Sequence, residues 1–295
     1  MGCAASSHHE PLPGIDALEL DVMGTATIGK HNVDDTSIRA CRTLEHKLSG
    51  TSVKTLVLYS KRGDCDVIPT IKRLPAPVES VQVDQSVSHA TTICSCFLME
   101  SKKLRKVKFD EGCFAKIRCV GSDFMRGCSN LTSLSFDGDC FRKARIVQCC
   151  FLRHCTMLES VSFGAGCFSK VQTIESFFMA GCSSITSVHF GDDCFSSVLA
   201  VGSSFMADCT SLKSITFENG CFAKVRGLGS GFMANCANLE AITFNNGCFS
   251  CVNCFQTDFL KGCSNNLQAA NVHCSAPQAL QIAIINAGLD QTKLK

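Results

Sequence analysis

Short stretches of this chain alternate apolar and polar residues, and the stretches return at a fixed interval. In one of them Leu134 and Phe136 are apolar, whereas Ser133 and Ser135 beside them are polar. This period of two predicts a β-strand with one buried face. A single strand cannot hide that face, so we expect neighbouring repeats to pair into a parallel sheet. Equivalent apolar sets, 27 residues apart, are Leu131/Leu134/Phe136, Leu158/Val161/Phe163, Ile185/Val188/Phe190, Leu212/Ile215/Phe217 and Leu239/Ile242/Phe244.

Two further series keep the 27-residue step. A Cys-Phe pair recurs six times between Cys113-Phe114 and Cys248-Phe249, and a Phe four residues before a Cys recurs six times from Phe124 onwards. Eighteen of the 21 phenylalanines fall on three such ladders. We interpret these rings as a stacked core rather than as a platform for nucleic-acid bases. Six copies without an insertion predict one structural unit stacked on itself, which is a solenoid.

The strand pattern continues in weaker form towards both ends of the chain. Sets that fit it begin at Ile15, Val53, Val78 and Leu104, and an imperfect one begins at Leu267. We therefore predict an α/β solenoid whose parallel sheet has about nine or ten rungs, capped by short helices. Phe-Met-x-x-Cys in each return path is expected to form a short helical or 3₁₀ turn.

Helical signals mark the predicted caps. Residues 34–48 have an apolar face and are followed by Gly50, and a second helix opens at Ser275 and Pro277. Its predicted apolar face contains Leu280, Ala283, Ile284 and Ala287. The chain is accordingly divided into a flexible tether at 1–14, an N-terminal cap with degenerate repeats at 15–93, regular repeats at 94–274 and a C-terminal capping helix at 275–295.

One repeat carries a family resemblance. Residues 181–188 read G-C-S-S-I-T-S-V after Phe178-Met179, and this resembles the A-F-x-x-C-x-x-L-x-x-[IV] repeat of BspA-type leucine-rich repeat proteins. The likeness recurs in register over residues 94–274, although the unit is longer than usual and contains an extra Cys-Phe. The resemblance implies a curved α/β solenoid that binds other molecules, and it implies no catalytic residues.

The first six residues, M-G-C-A-A-S, match the N-myristoylation pattern M-G-x-x-x-[ST]. Gly2 would accept the myristoyl chain and Cys3 a palmitoyl chain. One myristoyl chain binds a membrane only reversibly, whereas two acyl chains give stable anchoring. Because no signal-peptide pattern is found, we expect a location at the cytosolic face of the plasma or flagellar membrane.

Cysteine is abundant, with 23 residues, and the composition allows three interpretations. In the reducing cytosol we expect the twelve ladder cysteines to be free buried thiols rather than disulfides. Cys248, Cys251 and Cys254 form C-x-x-C-x-x-C, and Cys149, Cys150, His154 and Cys155 cluster in sequence. Neither group includes a second C-x-x-C pair for a tetrahedral zinc site, so we predict no metal and no cofactor.

Net charge is +2, which favours neither nucleic acid nor a membrane surface for the chain as a whole. We find no nucleophile–base constellation or phosphate loop and predict that the protein is not an enzyme. The outward positions of the strands are instead expected to contact a protein partner. They are Lys106, Lys108, Ser133, Ser135, Ser160, Ser162, Ser187, His189, Ser214, Thr216 and Thr243.

Together these features predict a membrane-tethered leucine-rich repeat scaffold that mediates protein–protein interaction. Two alternatives stay open from the sequence: a cysteine-rich metal or redox protein, and an extracellular adhesin-like surface protein.

Overall fold

The computed structural model describes residues 17–21, 25–27, 54–59, 67–68, 71–74, 78–110, 112–138, 140–253, 255–256, 258–263, 267, 269–272 and 278–286. Its strands are β1 (Ala17–Asp21), β2 (Thr25–Thr27), β3 (Thr55–Tyr59), β4 (Val67–Ile68), β5 (Ser80–Val83), β6 (Thr92–Ile93), β7 (Lys106–Phe109), β8 (Cys119–Val120), β9 (Ser133–Phe136), β10 (Ile146–Val147), β11 (Ser160–Phe163), β12 (Thr173–Ile174), β13 (Ser187–Phe190), β14 (Ala200–Val201), β15 (Ser214–Phe217), β16 (Gly227–Leu228), β17 (Ala241–Phe244) and β18 (Ala269–Val272). A 3₁₀-helix covers Gln85–Val87 and helix α1 covers Gln278–Asn286.

Each regular repeat contributes one long strand and one two-residue strand. The two-residue strands form a parallel sheet in the order β16-β14-β12-β10-β8-β6-β4. The long strands form two sheets, β2-β1-β3-β5-β7 and β18-β17-β15-β13-β11-β9. Pairing joins residues 27 apart, so that Ser160 lies opposite both Ser133 and Ser187. The result is a parallel β-solenoid, and the predicted stacking of repeats is confirmed.

The number of turns and the sheet continuity differ from the prediction. Seven two-residue strands mark about seven turns, fewer than the nine or ten rungs expected. Strands β7 and β9 belong to different sheets, although the rings of Phe109 and Phe136 still stack across the break with centroids 5.3 Å apart. The two-residue strands β6, β8 and β10 pair without interruption beside it. The coil therefore continues where one sheet of long strands ends.

The return paths are turns, and the expectation of an α/β unit with helical turns was wrong. Within the described residues, the helices are limited to Gln85–Val87 and α1. In a typical return path Asp123 has φ 60° and Met125 φ 53°, both left-handed. The Asp123 N–H donates to the Cys149 carbonyl on the following rung at 2.8 Å. The Met125 N–H donates to the Phe97 carbonyl on the preceding rung at 2.7 Å. Because alternate amides bind opposite neighbours, a helical ladder cannot form.

The phenylalanine ladders fill the core as predicted. Phe151 stacks on Phe178 at 4.8 Å with planes 4° apart, and Phe178 stacks on Phe205 at 4.7 Å with planes 3° apart. Rings of different ladders meet edge to face, as Phe178 and Phe195 do at 5.7 Å. Both arrangements are favourable for aromatic quadrupoles. Each ring therefore touches neighbours along its own column and in the next one.

Helix α1 confirms the predicted C-terminal helix over nine residues. Leu280 and Ile284 are fully buried, and Ala283 packs against the core. The C-terminal cap is nevertheless small, since this helix is short. The predicted helix at 34–48 and the tether at 1–14, with Gly2 and Cys3, lie outside the described residues.

Candidate protein-binding groove

The long strands hold one side chain inward and the next outward. In β9, Leu134 and Phe136 are buried, whereas Ser133 and Ser135 are exposed. Strand β13 repeats this with exposed Ser187 and His189. The buried columns hold the strands against the phenylalanine ladders. The outward side chains are thereby displayed in columns at intervals of about 4.8 Å from rung to rung.

Eight of the eleven predicted partner-binding residues lie together in one open groove. Its volume is about 500 Å³, and it crosses β9, β11, β13 and β15. We call it the hydroxyl groove, and its predicted members are Ser133, Ser135, Ser160, Ser162, Ser187, His189, Ser214 and Thr216.

The other three predicted residues lie beside this groove. Lys106 and Lys108 are exposed on β7, across the break between the sheets, where they line a second depression of about 410 Å³. Lys108 Nζ lies 3.0 Å from Asp110 Oδ1. Thr243 is half-buried on β17, one strand beyond β15. Thus the structure separates the two lysines from the hydroxyl groove, although both surfaces reach Ser133.

Charged groups at the C-terminal ends of the strands were missed by the sequence analysis. His189 Nδ1 lies 3.8 Å from Glu218 Oε1, so the imidazole has a carboxylate neighbour that sequence reasoning did not find. Glu218 and Asp192 line the adjoining depression with His189. The only available signal was the strict register, which places the turn after β15 beside the turn after β13.

Ser162, His189 and Glu218 follow one another on successive rungs, in the order of a nucleophile, a base and an acid. The contacts do not connect them in that way. The Ser162 hydroxyl donates to Ser135 Oγ at 2.9 Å, and the His189–Glu218 separation of 3.8 Å exceeds a hydrogen bond. The geometry provides polar contacts for a ligand but no activated serine.

All twelve ladder cysteines are buried and free, as predicted. Most of their thiols donate to backbone carbonyls of the preceding rung, as in Cys155 Sγ to Met125 O at 3.2 Å and Cys182 Sγ to Leu152 O at 3.2 Å. Burial raises the pKa of Cys128 to about 12 and that of Cys155 well above 9.0. These thiols are protonated at neutral pH and act as small core residues.

The off-ladder cysteines differ in exposure. Cys251 is exposed and Cys119 is partly exposed, while burial raises the pKa of Cys119. Among the residues with described positions, no three His, Cys, Asp or Glu side chains are arranged to hold a metal ion. Cys254, the third member of the C-x-x-C-x-x-C motif, lies outside those residues. Within the same ranges, no helix combines the length and apolarity that a membrane-spanning segment needs.

The chain is similar to known proteins in both sequence and fold. The family described as BspA type Leucine rich repeat region matches in six copies over residues 77–197 and 193–274. No curated protein matches significantly.

Several solved structures are similar at low identity. A leucine rich repeat protein of T. pallidum shares 18% identity over 78% of this chain and 91% of its own, with a TM-score of 0.40. A leucine rich cell surface protein from Faecalibacterium prausnitzii shares 12% identity over 92% of this chain and 86% of its own, with a TM-score of 0.33.

A leucine-rich repeat protein from Bacteroides ovatus shares 15% identity over 97% of this chain and 93% of its own, with a TM-score of 0.27. With TM-scores this low, the structural similarities do not extend to function. The family match covers more than half of the residues and agrees with the repeat register of the structure. The chain belongs to the BspA-type leucine-rich repeat family.

Proposed function

We propose that this protein is an interaction scaffold whose hydroxyl groove binds a protein partner, and that acyl chains on Gly2 and Cys3 tether it to the cytosolic face of the plasma or flagellar membrane. The observation that carries the proposal is the groove itself. Equivalent outward side chains from four successive long strands line one open groove with a volume of about 500 Å³. The family assignment agrees with a binding role, since repeat proteins present extended surfaces of this kind.

The chemistry of the groove favours a hydrogen-bonding protein surface. Serine and threonine hydroxyls both donate and accept, so neighbouring hydroxyls can reorient to suit a partner. Ser162 and Ser135 already pair with one another, and their hydrogen bond can be exchanged for one to a ligand. His189 beside Glu218 adds a polar, titratable end to the groove. These groups suit binding better than catalysis.

The groove can be tested by placing a bulky cation within it. Ser162→Arg should abolish partner binding, because the arginine fills the centre of the groove between Ser135 and His189. Ser230→Arg is the matched control, since Ser230 is exposed outside the groove. Proximity labelling with the wild type and both variants identifies the partner as a protein labelled by the wild type and Ser230→Arg but not by Ser162→Arg. Equal labelling by all three would refute the groove.

The tether needs a separate experiment. The Gly2→Ala variant should not incorporate an alkyne-myristate label and should be absent from membranes after a salt wash. The Cys3→Ser variant should keep the label but bind membranes more weakly than the wild type. Washing at high salt removes proteins that are held by charge alone. Wild-type protein without the label would exclude myristoylation at Gly2.

A further inference from the structure

Basic residues are concentrated on an edge of the coil that the hydroxyl groove does not include. Five equivalent segments lead into the two-residue strands β8, β10, β12, β14 and β16, at residues 115–120, 142–147, 169–174, 196–201 and 223–228. The basic residues lie in four of them, and the segment 196–201 contains none. These segments contain no Asp or Glu. We call this surface the basic edge, and its exposed cations are Lys116, Arg118, Arg142, Lys143, Arg145, Lys170, Lys224 and Arg226.

The register of the solenoid places these cations in columns. The Arg145 N–H donates to the Arg118 carbonyl at 2.8 Å, so the two arginines occupy the same position on adjacent rungs. Lys116, Lys143 and Lys170 are likewise 27 residues apart. At about 4.8 Å per rung, the four steps from the first segment to the fifth cover about 19 Å. Like charges opposite one another on neighbouring strands repel.

Among the described residues, few carboxylates lie close to these cations. Apart from Arg142, none of the eight forms an ion pair within 4.0 Å in the described part of the chain. Some basic residues elsewhere are paired: Lys108 lies 3.0 Å from Asp110, and Arg73 lies 2.9 Å from Glu100. Within the described part of the chain, the basic edge is therefore a largely unpaired group of positive charges in a protein whose net charge is only +2.

An exposed leucine lies within the same edge. Leu199 follows Gln172 in the column of Arg118 and Arg145, and this residue is 47% exposed to solvent. Arg226 comes next, with its N–H donating to the Leu199 carbonyl at 3.0 Å. An exposed apolar side chain on the same edge as cations can insert at a lipid interface while the charges contact headgroups.

We infer that the basic edge binds the surface of an anionic lipid leaflet. Nucleic acid is a poorer occupant, because the five segments contain no aromatic residue on which a base could stack. A protein interface is also less suitable, since the core of such an interface is depleted in charged residues and enriched in aromatic ones, which the five segments lack. This binding goes beyond the proposed tether, because it needs no acyl chain. It would lay the solenoid with one edge on the membrane and leave the hydroxyl groove, on a different sheet, open to the partner.

Vesicle binding by the full-length Gly2→Ala chain tests the inference without any contribution from myristate. Co-sedimentation is measured with phosphatidylcholine vesicles with and without phosphatidylserine. The triple variant Lys116→Gln/Lys143→Gln/Lys170→Gln should lose about 100-fold in partition onto phosphatidylserine vesicles, because each cation near such a surface contributes about fivefold. Lys102→Gln/Lys103→Gln/Lys106→Gln removes the same charge elsewhere and should lose far less. Leu199→Ser should weaken binding that remains at high salt.

Three outcomes would overturn the inference: equal binding to both kinds of vesicle, equal loss in the two triple variants, or no binding by the parent chain. A circular dichroism melt of each variant verifies that the exposed substitutions leave the fold intact. None of these results depends on Gly2 acylation, so a failure of the tether and a failure of the basic edge are distinguishable.

Discussion

Replacing Phe178 with alanine tests whether the phenylalanine ladders hold the coil together. Phe178 is 1% exposed, and its ring stacks on Phe151 at 4.8 Å and on Phe205 at 4.7 Å. Truncating a buried phenylalanine costs roughly 3–5 kcal/mol. The two stacked pairs, each contributing about 0.5–1.5 kcal/mol, place the expected loss in the upper half of that range. The cavity would be bounded by three rungs, and rigid strand pairing on both sides prevents its collapse.

The preceding residue provides a matched control. Phe177 is only half-buried, and its ring lies against the Arg153 guanidinium, whose Cζ is 4.0 Å from the ring centroid. A cation–π contact at a partly exposed site contributes about 0.5–1 kcal/mol. Phe177→Ala should therefore cost about 1 kcal/mol, although it removes the same atoms as Phe178→Ala.

Urea unfolding followed by circular dichroism measures both variants. Intrinsic fluorescence is unsuitable, since the chain has no tryptophan and one tyrosine. A fall in the m-value for Phe178→Ala would indicate that the halves of the solenoid have begun to unfold separately, which is also expected of a one-dimensional stack. If Phe177→Ala destabilised the protein as much as Phe178→Ala, or if Phe178→Ala cost less than about 1 kcal/mol, the ladders would not be the main stabilising element.

Two further predictions concern the thiols and the glycines. Because burial raises the pKa of Cys128 from 9.0 to about 12, its contribution to stability is complete below pH 9 and is lost as the pH rises towards 12. In urea titrations from pH 8 to 10, the free energy of unfolding should fall more steeply with pH in the wild type than in Cys128→Ala, by about 1.4 kcal/mol per pH unit above 9. Equal slopes in the two proteins would contradict this prediction. A Cβ on Gly202 would lie 2.5 Å from the Ser176 nitrogen, so Gly202→Ala should destabilise by roughly 1–3 kcal/mol. Gly227→Ala, with nothing within 4 Å of its Cβ, should be neutral or slightly stabilising in thermal melts, and the reverse order would refute this.

The long strands were predictable because their period of two coincides with a fixed repeat. Val161 and Phe163 lie inward on β11, in the register that the 27-residue step required. The two-residue strands were not predicted, since Ile146-Val147 is too short to carry a periodicity signal. The left-handed return paths were missed for another reason. Residues such as Phe141, with φ 57°, adopt this conformation only because bonds to neighbouring rungs compensate for it, and single-residue propensities do not include those bonds.

For the candidate site, the sequence predicted which side chains lie outward. It did not predict that the outward face is divided between two sheets. Alternation placed Ser133 and Ser162 on the open side, and the structure agrees. The break between β7 and β9, which separates Lys108 from the hydroxyl groove, has no signal in the repeat pattern. The His189–Glu218 contact joins residues from two turns and becomes visible only when the register is known.

The 27-residue repeat predicts the fold, but the repeat itself carries little information about function. Inward positions keep their chemistry at every step, because each ring or thiol must fit the one above and below it. Outward positions are free of that requirement, and one such column changes from Lys108 through Ser135, Ser162 and His189 to Thr216 and Thr243. Binding specificity must therefore come from these varying columns. The loss of repetition at the surface, where stacking imposes no cost, identifies the positions that can be changed without unfolding the coil.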